Sequence, residues 1–137
     1  MMAIASFAMG VWATPSSPSS PPSSPFTSAS DLRAALDACV TDDASGADCT
    51  DGSGVDIKEW NISGVTTLRK IFEDYSSFNA DISDWDTSSV VDMSSAFSGA
   101  NAFNKNIGSW NTQQVRSMSS MFYDARAFNQ DIGDWNT

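Results

Sequence analysis

The stretch "FNKNIGSWNTQQVRSMSSMF", residues 103–122, sets the pattern of this chain, because nearly the same string occurs twice more. One copy, "FNADISDWDTSSVVDMSSAF", begins at Phe78, and another, "FNQDIGDWNT", begins at Phe128. The step between copies is 25 residues, without insertion or deletion. A strict period of this length is typical of solenoids, in which each repeat buries its apolar residues against its neighbours.

Residues that recur at this step are predicted to lie in the core, where equivalent side chains form ladders through the stack. An asparagine follows the phenylalanine in every copy, and its amide can satisfy backbone groups between repeats. We favour this structural interpretation over ligand binding, because a ligand would not need the residue in every repeat. The ladders are Trp60, Trp85, Trp110 and Trp135; Phe78, Phe103 and Phe128; and Asn79, Asn104 and Asn129.

Each repeat divides into two halves. Val90, Met93 and Phe97 fall at steps of three and four, which is the spacing of one helix face. The other half predicts a short strand at 81–84, with Trp85 at the corner that leads into the helix. The expected repeat helices cover 65–73, 90–98 and 115–123.

Residues 31–56 are predicted to form an N-terminal cap, with a helix over 31–40 that Ser30 begins as N-cap. The two cysteines, Cys39 and Cys49, would pair with each other in an oxidising compartment. A redox or metal pair is the weaker interpretation, because the chain has no histidine and the spacing matches no zinc pattern.

The N-terminal residues differ in composition from the rest. Residues 1–13 are apolar and resemble a secretory signal with cleavage after Ala13, although no Lys or Arg precedes the apolar run. A gene start that truncates a longer signal is the alternative. Residues 14–30 consist almost entirely of Ser, Pro and Thr, which predicts a disordered linker. Residues 57–137 then hold about three repeats, the last one truncated.

The repeat pattern "FNxDIxDWDTSSVxDMSSxF" strongly resembles that of the BspA-like leucine-rich-repeat surface proteins, over about residues 55–137. The segment "SASDLRAALDACVTDD" looks like the helical lead-in that caps such arrays. The first copy departs from the pattern at Ile62, Leu68 and Tyr75, as terminal repeats often do. The resemblance implies a right-handed leucine-rich-repeat-like α/β solenoid with one short strand and one short helix per coil. It also implies secretion or cell-surface placement and a role in adhesion or protein binding.

Charge and composition argue against several classes of function. The formal net charge is −10, which disfavours nucleic acid and anionic lipid as partners, and no membrane insertion is expected. Without histidine the usual general base is missing. Carboxylate pairs occur at 81/84 and 131/134, but the copy between them has Asn106 and Ser109 at the equivalent positions. We therefore expect no enzyme, no cofactor and no metal site.

The sequence predicts a non-catalytic module that binds a protein or an extracellular-matrix ligand. The alternative is a structural spacer, and end-to-end self-association through an uncapped C-terminal coil is a further expectation. The triplet at Asn61 matches an N-glycosylation site, usable only if its side chain faces water. The candidate partner-facing residues are Asp81, Asp84, Lys105, Asn106, Ser109, Asp131 and Asp134.

Overall fold

The computed structural model describes residues 25–136, which contain two helices. Helix α1 spans Ala29–Asp42, and a 3-10 helix spans Ile57–Glu59. The remaining described residues form turns and loops joined by isolated backbone bridges. One bridge, Thr50 to Asp56, is antiparallel, and two, Thr67 to Asp92 and Asp92 to Ser117, are parallel.

Helix α1 begins two residues earlier than predicted. The side chain of Ser28, not Ser30, accepts the Asp31 amide at 3.1 Å, and it is therefore the N-cap. Leu32 and Leu36 are fully buried on the predicted apolar face. The predicted disulfide is confirmed: Cys39, on this helix, is bonded to Cys49, with their Cα atoms 5.4 Å apart.

The end of the expected linker lies inside the fold. The Phe26 amide donates to the Asn61 carbonyl at 2.8 Å, and the Phe26 ring lies 5.2 Å from the Trp60 ring. An aromatic side chain at the end of this Ser/Pro-rich segment thus packs on the first tryptophan of the ladder. The expected signal sequence 1–13 and residues 14–24 of the expected linker lie outside the described residues.

We define three repeats: residues 57–81, 82–106 and 107–131. Successive repeats lie side by side, and alternate amides of one donate hydrogen bonds to the next. The Phe72 amide donates to Ala96 at 2.9 Å, and the Phe97 amide donates to Met121 at 2.8 Å. Between these residues, amides donate three positions back instead, as Ile71 does to Leu68 at 3.1 Å. Within residues 68–75, alternate amides thus join repeats, and most of the amides between them close local turns.

This alternation replaces the expected repeat helices. An α-helix needs a negative φ at every residue, but Lys70 has φ 59° and its equivalents Ser95 and Ser120 have φ 55° and 54°. A second position is also left-handed, with φ 65° at Asp74 and 75° at Gly99. The segments 65–73, 90–98 and 115–123 are therefore series of turns. Bonds between repeats give the backbone partners that a helix would otherwise supply.

The expected strand at 81–84 is also absent, because a turn occupies 83–84 and the Trp85 amide donates to Ile82 at 3.3 Å. The turn places Ile82 and Trp85 together in the core, whereas a flat strand would have pointed them to opposite faces. Both side chains are at most 3% exposed.

Aromatic rings stack from repeat to repeat through this core. The Trp60–Trp85 and Trp85–Trp110 ring centroids lie 6.5 and 6.4 Å apart, and Phe78–Phe103 lie 6.1 Å apart. Each buried indole has a polar partner. The Trp110 indole N–H, for example, donates to the Ile82 carbonyl at 3.1 Å. The asparagines also link repeats: the Asn79 side-chain oxygen accepts the Asn104 amide at 2.9 Å.

Helix α1 covers the first repeat. The Arg33 guanidinium donates to the Lys70 and Ile71 carbonyls at 2.8 and 3.3 Å, and it lies 4.4 Å from the centre of the Tyr75 ring. The Tyr75 hydroxyl donates to the Asp37 carboxylate, and burial followed by this bond raises the pKa of Tyr75. The Ile71 carbonyl is equivalent to that of Ala96, which accepts the Phe72 amide, so Arg33 supplies at Ile71 a donor that a preceding repeat would have supplied.

Candidate functional site

The predicted partner-facing residues lie along one edge of the repeats, where each chain segment turns before its tryptophan. Asp81, Asn106 and Asp131 are equivalent residues, and each uses a side-chain oxygen to accept an amide two residues ahead, at 3.0, 2.9 and 2.9 Å respectively. This is an Asx turn, which Asp and Asn favour. We call this edge, with Asp84, Ser109 and Asp134, the polar edge.

At the first end of the polar edge, a lysine neutralises the carboxylates. The Lys58 ammonium lies 3.1 Å from the Asp81 carboxylate and 3.7 Å from that of Asp84. Hydrogen bonds from Ser83, followed by Lys58, lower the pKa of Asp81 to about 2. Lys58 is not among the predicted partner-facing residues, although its position one repeat before Ser83 places it beside these acids.

Replacing Asp81 by asparagine is expected to destabilise the fold in a pH-dependent way. Because the folded-state pKa of Asp81 lies below its unfolded value, the carboxylate stabilises the fold above about pH 4, and this is lost as pH falls toward 2. Its side chain is 45% exposed, so solvent screening leaves about 1 kcal/mol at neutral pH. Urea unfolding of both proteins at several pH values measures the difference.

Two results bear on the cause of this effect. The control Lys58→Gln removes the ammonium but keeps the larger Ser83 contribution, so it should lose less than Asp81→Asn. A difference between wild type and Asp81→Asn that stays constant from pH 7 to pH 2 would contradict the assigned role of the carboxylate.

Farther along the polar edge, side chains surround a shallow depression of about 380 Å³. Ser109 and Asp134 lie on its wall with Gln130, whose amide nitrogen donates to the Asn104 carbonyl at 3.0 Å. Of the predicted residues, Asn106, Ser109, Asp131 and Asp134 meet here, whereas Lys105 is half-buried and lies outside the lining.

A glycine allows the repeats to approach closely at this depression. A Cβ atom added to Gly108 would lie 2.6 Å from the Asp131 carbonyl oxygen, so any other residue would push the repeats apart. Gly108 lies at the repeat position equivalent to Lys58, the residue that forms an ion pair with Asp81. Asp131 therefore has no lysine at that position. Among residues 25–136, no cation forms an ion pair with Asp131 or Asp134.

The depression therefore offers carboxylate and amide oxygens with exposed negative charge. Such a surface attracts a cationic group. No group of three or more His, Cys, Asp or Glu side chains that could hold a metal ion occurs in the described residues. Nor does this part of the chain contain a helix long and apolar enough to cross a membrane.

The class of protein defined by this geometry is one of stacked repeats joined by aromatic and asparagine ladders. Residues 44–137 match the model of a family described as "Mycoplasma protein of unknown function, DUF285". Because the match covers more than half of the chain, the protein belongs to this family. Neither the curated proteins nor the solved structures gave a match.

Proposed function

We propose that this protein is a non-catalytic repeat module of a secreted or cell-surface protein, and that it binds a protein or extracellular-matrix ligand through the polar edge. The observation that carries the proposal is the depression between Asn106 and Asp134, where two exposed carboxylates have no cationic partner among the described residues. The stacking supports a solenoid of the BspA-like type, and such arrays bind through extended faces.

The ligand chemistry follows from charge. Asp131 and Asp134 give the depression negative charge, and the chain as a whole carries −10. Both the local charge and the net charge would attract a polypeptide segment rich in Lys or Arg, which would raise its rate of association and the specificity of binding. Anionic surfaces would be repelled. We therefore propose a basic segment of an extracellular protein as the ligand.

The disulfide supports placement outside the cell. Cys39 and Cys49 are bonded, and disulfides persist in oxidising compartments but are rare in the cytosol. A cap held by this bond would suit a protein displayed at a surface.

The test replaces the open carboxylates. Asp131→Asn with Asp134→Asn removes two charges from the depression, while Asp42→Asn with Asp48→Asn removes two exposed charges from the cap. We expect the first pair to weaken binding to a basic extracellular-matrix protein about tenfold, and the control pair to weaken it only slightly. Surface plasmon resonance against a panel of purified matrix proteins makes this comparison.

A purely structural spacer is the second candidate, and one observation favours it. The carboxylates of Asp86 and Asp92 are held by Ser88 and Ser94 through local turn bonds, as Asp81 is held by Ser83. Carboxylates that accept these bonds stabilise turns, and this role needs no ligand. If no panel protein binds, or if both variant pairs bind equally, the spacer is the better account.

A further inference from the structure

The same pair of carboxylates occurs twice along the polar edge. Asp131 and Asp134 stand two repeat steps after Asp81 and Asp84, and we call these residues the second and the first acid pair. At the first acid pair, the Lys58 ammonium lies 3.1 Å from the Asp81 Oδ2 atom and 3.7 Å from the Asp84 Oδ2 atom. The structure thus records what this arrangement binds, which is one primary ammonium shared between two carboxylates.

The leading carboxylate of each acid pair is held by the same turn bond. The Asp81 Oδ1 atom accepts the Ser83 amide at 3.0 Å, which leaves Oδ2 to contact Lys58. The Asp131 Oδ1 atom accepts the Gly133 amide at 2.9 Å in the same way. The Asp131 Oδ2 atom is therefore the counterpart of the oxygen that Lys58 contacts, but it has no ion-pair partner within residues 25–136.

Residue 108 explains why the second acid pair has no lysine. Lys58 precedes Asp81 by 23 residues, and Gly108 precedes Asp131 by the same number. A side chain at residue 108 is excluded, because its Cβ atom would lie 2.6 Å from the Asp131 carbonyl oxygen. The close approach of the two repeats therefore prevents the chain from supplying a lysine here itself.

Other basic side chains near the second acid pair do not replace this lysine. The Arg126 guanidinium pairs with the Asp124 carboxylate at 2.8 Å. Lys105 forms no ion pair in the part of the chain that the structure describes. Asp131 and Asp134 are both exposed, so a cationic side chain of another molecule can reach them through the depression of about 380 Å³.

The geometry favours an ammonium over a guanidinium at these acids. The Lys58 ammonium is a compact charge that contacts one oxygen of each carboxylate. A guanidinium is a planar fork that bonds best to both oxygens of a single carboxylate. Since the Gly133 amide already bonds one oxygen of Asp131, this carboxylate offers mainly its other oxygen.

We propose that the depression binds a lysine side chain of the ligand, with its ammonium between Asp131 and Asp134 as that of Lys58 lies between Asp81 and Asp84. The proposal rests on the function proposed above and narrows the basic ligand segment to one that contains lysine. Gly108 sets this specificity, because it leaves the second acid pair to a lysine from outside the chain.

The test adds two short glycine peptides, blocked at both ends, with one central lysine or one central arginine, to the full chain. NMR follows the shift of the Gly133 amide. We expect the lysine peptide to bind about fivefold more tightly than the arginine peptide. Asp131→Asn with Asp134→Asn should weaken lysine binding about tenfold, and the control Asp42→Asn with Asp48→Asn should not.

A second variant tests whether the two acid pairs are equivalent. Lys58→Gln removes the ammonium from the first acid pair without removing a buried side chain, since the Lys58 side chain is 41% exposed. In this variant the Ser83 amide, which bonds to Asp81, should also shift with the lysine peptide. In the wild type it should not, because Lys58 already occupies that pair.

The outcomes separate this proposal from the function on which it rests. Equal binding of the two peptides would overturn the preference for lysine and leave the basic ligand standing. Absence of a Gly133 shift with either peptide, or a shift that persists in the Asp131 and Asp134 double variant, would also overturn it. If the lysine peptide binds as expected but no matrix protein does, the proposed function fails and the lysine site remains.

Discussion

Replacing Phe97 by alanine is expected to lower the free energy of unfolding by about 3–5 kcal/mol. The Phe97 ring is fully buried, with ring centroids 4.9 Å from Phe72, 4.2 Å from Phe103 and 5.6 Å from Phe122. Truncation removes stacking with three rings and leaves a cavity that the repeats on either side cannot fill. Because a domain has only about 5–15 kcal/mol in total, urea unfolding should show a large shift of the midpoint.

The matched control is Phe128→Ala, which removes the same side chain from the last rung of a ladder. The Phe128 ring stacks on Phe103 at 6.0 Å and on Phe122 at 4.0 Å, but it is only partly buried. Its loss should cost about half as much, because part of the site is already open to water. Equal losses for the two variants would contradict the view that stacking on both sides holds the core.

Breaking the disulfide is expected to have the second largest effect. Replacing Cys39 and Cys49 by serine opens a loop closed over a sequence separation of 10, which should lower the free energy of unfolding by about 2–3 kcal/mol. The bond ties α1 to the loop that follows it, and α1 covers the first repeat through Leu32, Leu36 and Arg33. Loss of the bond should therefore loosen the cap before the repeats.

Urea unfolding with and without a reductant measures this contribution. The wild type should lose stability on reduction, and the double serine variant should not respond to the reductant. A variant as stable as the oxidised wild type would show that packing alone holds the cap.

The ladders could be predicted because they depend only on the period. Equal spacing with no insertions places Trp60, Trp85 and Trp110 at equivalent sites, and their rings stack in the structure. The same holds for Asn79 and Asn104, which bond through side chain and backbone. No knowledge of the local backbone was required, since any repeating conformation would bring these residues together.

The local conformation could not be predicted from apolar spacing. Steps of three and four place Val90, Met93 and Phe97 on one side of an α-helix, but a series of turns does so equally well. The deciding feature is the left-handed backbone at Lys70 and Ser95, and neither residue type signals it. At the second left-handed position the residue types do signal it, since Gly99 favours a positive φ and Asp74 and Asp124 tolerate it better than most residues.

The candidate site was predicted in part. The period placed Asn106, Ser109 and Asp131 on one edge, and all three line the depression. Charge pairing across repeats was missed, because Lys58 has no equivalent cation in later repeats and its carboxylate partners lie far from it in sequence. The structure reveals such ion pairs because residues about one repeat apart in sequence are neighbours in the fold.

Alternate amides join the repeats, and amide hydrogen exchange of the free chain measures these bonds residue by residue. The amides of Met93, Ser95 and Phe97 bond to the third repeat, whereas their equivalents Met118 and Ser120 have no acceptor in the described residues. We expect the first set to exchange about a hundredfold more slowly than the second. Similar protection of both sets, with continuous protection through 119–123 as in an α-helix, would contradict the account.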